Sequence, residues 1–312
     1  MSIRAARFMA AGLGLLLTGA GAIPERRVLL TFDDIPASYS AAPGLHCDSQ
    51  ALRDLDGRLL EALESAGAPS VGFVTTNNIC DRLRDSVLTG IIGRWRQAGA
   101  EIGNHGHGHL DINRVSLETY LADLGRADRF LRGVPPGEVG YFRHPFLHTG
   151  PDRARADGLR DWLAQHGYRT VPVTIDNQEW VYARAYSLAR QRGDSALLQR
   201  LVPAYLDHLD RSFAFAESVS VAVIGREVPQ ILLLHANELN ADQMAHVLDR
   251  IHRRGYRFAG VKEVLADPVY RRASNYLGPR GLSWLLRWSP DPDDWRREGP
   301  REPAWVAEAA GG

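Results

Sequence analysis

Residues 105–109 read His-Gly-His-Gly-His, three imidazoles at alternate positions with glycines between them. Two imidazoles plus one carboxylate form a ligand set for zinc or another divalent ion, with positions left open for water and substrate. His105 and His109 stand at i, i+4, so a helical turn or a tight glycine-containing loop presents both rings to one ion. His105 and His107 at i, i+2 would instead share one strand face, but Gly106 and Gly108 argue against a regular strand. The expected pair is His105 and His109, with His107 aimed elsewhere. A source of carboxylate is the pair Asp33-Asp34, which follows the apolar run Val28–Phe32. Within a strand the two side chains would face opposite ways. At a strand end, one can ligate an ion while the other reaches a water beside it.

The elements that must position these residues alternate between strand-like and helical patterns. Strands are predicted at 27–32, 70–76, 100–104, 139–145, 168–176, 230–236 and 256–261. Helices are predicted at Ser49–Ser65, 84–98, Ser116–Leu131, 153–166 and 241–254, with a short one ending near Asp267. A helical stretch without a strand occupies about 180–220. This alternation means βαβ units and a parallel sheet, and seven units favour a barrel over an open sheet. In such folds sites form at the carboxyl ends of strands. Five of the strand exits carry Asp33-Asp34, the histidine cluster, Arg143-His144, Asp176/Glu179/Trp180 and His235, which argues for a single polar site. His166, His208, His246 and His252 read as residues of solvated helix faces. His46 and His148 fall in loops near the rim, lining a groove or idle.

Bulk properties narrow the partners. Lys+Arg and Asp+Glu both number 37 in 312 residues, so no basic excess points to nucleic acid or an anionic membrane surface. Residues 1–22 carry an arginine-containing start, an apolar run and Ala20-Gly21-Ala22, the pattern of a cleavable export signal. The run is too short for a membrane span, so no stable membrane insertion is expected after cleavage, and the protein is expected in the periplasm or outside the cell. Export would place Cys47 and Cys80 where a disulfide persists; bonded, they would stabilise by about 3 kcal/mol, and two free thiols are the alternative. Residues 23–267 are expected to form the catalytic domain. The tail 268–312 carries Trp284, Trp288 and Trp295, expected to pack across the barrel, with a carbohydrate-stacking surface as the sharper alternative.

Taken in order, "TFDD" (31–34), "HGHGH" (105–109), "RHPF" (143–146), "DNQEW" (176–180) and "LLLH" (232–235) resemble the motifs of the polysaccharide deacetylase family, the NodB-homology or carbohydrate esterase family 4 domain, over residues 27 to 265. The resemblance implies a distorted (β/α)-barrel with fewer than eight strands. It also implies metal ligands Asp34, His105 and His109, a general base Asp33 held charged by Arg143, and a general acid His235 with Asp176 orienting its ring. Trp180 and Leu233 would line the pocket for an acetyl methyl, and the backbone N–H of Phe146 would meet the oxyanion. The implied reaction is removal of N-acetyl groups from a glycan by water activated on a divalent ion, with zinc first and cobalt, nickel or manganese as alternatives. Two departures stand out: Gly106 replaces a Ser/Thr, which removes a loop-bracing hydrogen bond, and Glu179 stands where the motif has Asp. The 180–220 stretch is long for this family and reads as a wall or lid. The competing readings are an amidase acting on a small non-sugar amide, a non-haem iron oxygenase and a catalytically silent glycan-binding protein.

Overall fold

The apolar runs assemble into one parallel sheet. The structure, a computed structural model, describes residues 25–311 apart from 43, 136–137 and 275; the expected signal segment lies outside the described residues. Strand β1 (Arg26–Ile35) leads to helix α1 (Ser49–Ser65) and β2 (Ser70–Val74). Helix α2 (Asp81–Leu83) runs through a π-helical turn into α3 (Thr89–Gln97), then β3 (Glu101–Asn104), α4 (Leu117–Arg132), β4 (Tyr141–Phe142) and α5 (Arg153–Gln165). Next come β5 (Arg169–Thr170), β6 (Ile175–Asp176), α6 (Glu179–Arg192), α7 (Ser195–Ile224), β7 (Gln230–His235), α8 (Glu238–Arg253), β8 (Tyr256–Phe258) and α9 (Val261–Leu265). The tail contributes α10 (Trp284–Arg287), α11 (Pro292–Glu298) and α12 (Ala304–Ala309).

All strand pairings are parallel, and the order is β5-β4-β3-β2-β1-β7-β6, with β8 beside the start of β1. The architecture is the expected curled α/β barrel. Its central strand β1 is apolar on both faces, with Val28, Leu29, Leu30 and Phe32 fully buried, as a strand covered by helices on one side and packed against the barrel interior on the other must be. Helix starts are set locally. Ser116 caps α4 as its position before the helical pattern predicts, its hydroxyl accepting from Thr119 N–H, and the Asp48, Asp194 and Asn237 side chains do the same for α1, α7 and α8.

Three expectations are revised. The fifth predicted strand divides into β5 and β6, because the chain changes neighbours between them: Val171 N–H donates to Phe142 O on β4, and Thr174 N–H donates to Ile231 O on β7. An apolar run cannot signal such a switch, since Val171 before it and Val173 and Ile175 after it are buried alike. The long helical stretch is two helices, broken at Gly193 with φ 66°, a conformation glycine adopts without strain. His208, on α7, is fully buried rather than solvated; α7 packs on α6 and α8, and its ring lies 5.3 Å from that of Tyr182. In the tail, Trp284 and Trp288 are buried and Trp295 packs on Phe215, so these tryptophans pack on the barrel rather than display a stacking surface. Cys47 and Cys80 are disulfide-bonded with Cα atoms 5.0 Å apart, joining the segments that leave β1 and β2.

Candidate active site

At the end of β1 the register against β2 shifts between Phe32 and Ile35, and Asp34 takes φ 64°. That bulge turns the second aspartate back, so both carboxylates serve one point instead of opposite sheet faces. Asp34 Oδ1 lies 3.9 Å from His105 Nε2 and 3.7 Å from His109 Nε2, and it accepts a hydrogen bond from Thr75 Oγ1 at 3.0 Å. One ligand atom from each of Asp34, His105 and His109 falls within 4.8 Å of the others. His105 Nδ1 sits 2.9 Å from Arg143 O, so that nitrogen carries the ring proton and Nε2 turns its lone pair to the centre. Burial pulls His105 down to about 4, with Asp33 and Asp34 opposing it, so the ring is neutral, as a ligand must be. Burial would raise the Asp34 carboxyl, but His109, His105 and the Thr75 bond outweigh it and the group lies below the ordinary carboxylate range. Two imidazole nitrogens and one carboxylate oxygen suit a divalent ion and leave its remaining positions open.

The loop that presents the histidines is braced from α4. Asp123, buried, accepts from His107 N–H at 2.8 Å and Gly108 N–H at 2.9 Å. Gly106 has φ 86°, and a Cβ there would stand 3.0 Å from Asp123 Oδ2, so glycine is needed where a Ser/Thr was expected and Asp123 supplies bracing of its own. His107 points away, its Nδ1 paired with Thr76 Oγ1 at 2.9 Å.

Asp33 stands beside this centre. Its Oδ2 is 3.6 Å from both His105 Nε2 and Arg143 Nη1, and its buried Oδ1 has no hydrogen-bond partner among the described residues. Arg143 is fully buried behind it, fixed by bonds from Nε to Val171 O at 3.0 Å and from Nη2 to Thr31 Oγ1 at 2.9 Å. On the opposite side, His235 Nδ1 meets Glu179 Oε2 at 2.9 Å, and the other oxygen of Glu179 accepts from Asn237 Nδ2. Burial works against the imidazolium, but the Glu179 bond and charge prevail and lift His235 to about 9. The contact expected of Asp176 is therefore made by Glu179: the longer side chain starts from the first turn of α6, and Asp176 instead accepts from Gln178 N–H at 3.1 Å. Burial raises the Asp176 carboxyl.

Asp33, Asp34, His105, His109, Phe146, Asp176, Trp180, Leu233 and His235 all line one cleft of about 830 Å3, with Arg143 beneath it. Phe146 and Trp180 are half exposed at its mouth, and the Phe146 ring sits edge-on to His109 at 4.4 Å. His148 also lines the cleft, held by Asp111 at 2.8 Å, whereas His46 bonds Asn78 O outside it. Sequence reading missed Thr75, Asp123, Asn237 and Tyr39, which completes the rim; none lies in a motif, and only the fold brings them near. Glu179 was visible as a departure, without its partner.

Residues 20–171 match the family model described as polysaccharide deacetylase, and over those residues the chain resembles that family. Among solved structures, the chain is 16% identical to a CE4 family pseudoenzyme from Bacillus anthracis, covering 78% of this chain and 66% of that one with TM-score 0.50. A variant of that pseudoenzyme with restored activity is 18% identical, with coverage of 78% and 68% and TM-score 0.50. A peptidoglycan deacetylase variant from Bacillus subtilis is 14% identical, covering 80% and 94% with TM-score 0.50. These likenesses are likenesses of fold. No curated protein matches the chain.

Proposed function

We propose that this protein is a metal-dependent hydrolase that removes N-acetyl groups from the sugars of a polysaccharide. The observation that carries the reading is the single cleft in which Asp34, His105 and His109 face one point, between an unpartnered Asp33 oxygen and a clamped His235. A divalent ion, zinc first and cobalt, nickel or manganese next, would polarise the acetyl carbonyl and lower the pKa of the attacking water.

Every other step belongs to the chain. Asp33 Oδ1 takes the proton of the attacking water, while the Arg143 guanidinium, 3.6 Å away, faces the other oxygen. His235 donates from Nδ1–H to the Glu179 carboxylate, so its Nε2–H is free to protonate the departing amine nitrogen. The C–N bond breaks, a C–O bond forms, and acetate and a free amino sugar leave. The Phe146 N–H would bind the oxyanion, and Leu233 and Trp180 would flank the methyl group.

An N-acetylated glycan is the proposed partner, with no nucleic acid. We place the enzyme in the periplasm or outside the cell, with a signal over 1–22, a catalytic domain over 23–267 and the 268–312 tail packed on it. The Cys47–Cys80 bond supports an oxidising compartment, and no helix among the described residues is long and apolar enough to cross a membrane.

The test is acetate release from N-acetylglucosamine oligomers and peptidoglycan by zinc-loaded protein beside Asp33→Asn. Release that stops on chelation and falls by about 1,000-fold in the variant is expected. No release from any glycan with zinc bound would sink the proposal and leave the small-amide and glycan-binding readings.

A further inference from the structure

The cleft has a wall that comes from outside the matched family segment. Arg287, on α10, is buried, yet no carboxylate pairs with it among the described residues. Its guanidinium lies over the rings of Trp284 and Tyr276, at 4.7 and 5.0 Å. It donates from Nε to Leu282 O at 2.8 Å, from Nη1 to Thr149 Oγ1 at 2.8 Å and from Nη2 to Leu147 O. A buried cation satisfied only by neutral oxygens is a costly arrangement, and the planar fork that reaches three acceptors is specific to arginine.

What it grips is the segment carrying Phe146. Phe146 and Leu147 both have left-handed backbones, φ 56° and 54°, which non-glycine residues keep only where their surroundings impose it. The tail imposes it from two directions. Arg287 holds Leu147 O and Thr149, and Gly281 lies so close that a Cβ there would collide with the Phe146 carbonyl. The tail is itself anchored to the barrel, with Trp284 N–H donating to Val173 O at 2.7 Å.

We propose that Arg287 is a positioning residue: from the C-terminal tail it fixes the 145–149 segment so that Phe146 faces the substrate cleft in its left-handed conformation. Its effect on turnover rests on the deacetylase reading, and its effect on Phe146 does not.

The test labels the zinc-loaded protein with 4-fluorophenylalanine and assigns the Phe146 fluorine resonance by its loss in Phe146→Leu. In Arg287→Ala that resonance is expected to move toward the solvent-exposed position or double. The kcat on N-acetylglucosamine oligomers should fall roughly 10- to 100-fold, with KM and zinc affinity little changed. Guanidinium at low millimolar concentration should restore both signals, and Arg287→Lys should stay defective. Gly281→Ala, which presses on Phe146 without touching Arg287, should shift the same resonance; it decides the matter if Arg287→Ala does not fold. A Phe146 resonance unmoved in a folded variant overturns the proposal, even if the melting temperature falls. A wild-type protein without turnover, whose resonance still responds to Arg287→Ala, would fail the deacetylase reading and leave this inference standing.

Discussion

His105 and His235 stand on opposite walls of the cleft with Nδ1 held at the same distance and with different charge states. Each has its Nδ1 held at 2.9 Å, His105 by the Arg143 carbonyl and His235 by the Glu179 carboxylate. Burial alone would drive both toward the neutral form. Against a neutral carbonyl it wins, and His105 falls to about 4; against a carboxylate it loses, and His235 rises to about 9. One ring is thereby left with a lone pair for a metal and the other with a proton to give. The character of the acceptor behind each ring, more than the ring or its depth, separates the proposed ligand from the proposed acid.

Predictions follow from breaking that contrast. The largest effect is expected on the ligand wall: His105→Ala or His109→Ala should weaken zinc binding by more than about 100-fold, read by calorimetric titration without any substrate. On the acid wall, Glu179→Gln substitutes a neutral acceptor and should make His235 resemble His105. Because the folded pKa of His235 is raised, its protonated form and the stability it lends persist below the unfolded value and are lost as pH rises through about 9. The wild-type rate should therefore decline on the alkaline side near pH 9. In Glu179→Gln the limb should move to lower pH, with kcat at pH 8 down by about 100-fold; a limb that stays in place would break the comparison. Glu179→Asp, which retains the charge and shortens the reach, should lose about tenfold and shift the limb less.

The smallest effect concerns stability. His105, His144 and His208 are all pulled low, to about 4, 3 and 4, chiefly by burial. Stability is intact above the unfolded value near 6.5 and drains as pH falls toward 4, at up to about 1.4 kcal/mol per pH unit for each such ring. His208→Gln should flatten the slope of urea midpoint against pH between 6.5 and 4, while leaving zinc affinity unchanged.

The two walls were unequally legible in the sequence. The ligand wall is written in short segments: Asp33-Asp34 and His105–His109 follow apolar runs that could only be buried strands, and a strand end in a parallel sheet is where sites gather. The acid wall depends on the geometry of a helix start. Asp176 and Glu179 sit three residues apart around a turn, and only the left-handed Gln178 between them settles which carboxylate reaches His235. Arg287 and Asp123 were illegible, because the segments they hold lie far off in sequence: Leu147 and Thr149 for Arg287, the N–H groups of His107 and Gly108 for Asp123. The barrel read correctly as a class, but the division of the fifth strand did not, since a change of hydrogen-bonding neighbour leaves an apolar run unaltered.

That division has a consequence for solubility. Strands β5 and β6 are the two margins of the sheet, and a sheet margin offers unpaired backbone to any other chain. Here they are consecutive, and residues 171 to 174 pass from one margin to the other, a span of at most about 11 Å. The margins thus lie at the two ends of a single short bridge, and the tail covers part of that bridge through the Trp284 bond to Val173 O. A chain cut before the tail would uncover this seam, and its first failing would be self-association through strand margins, at a place remote from every motif.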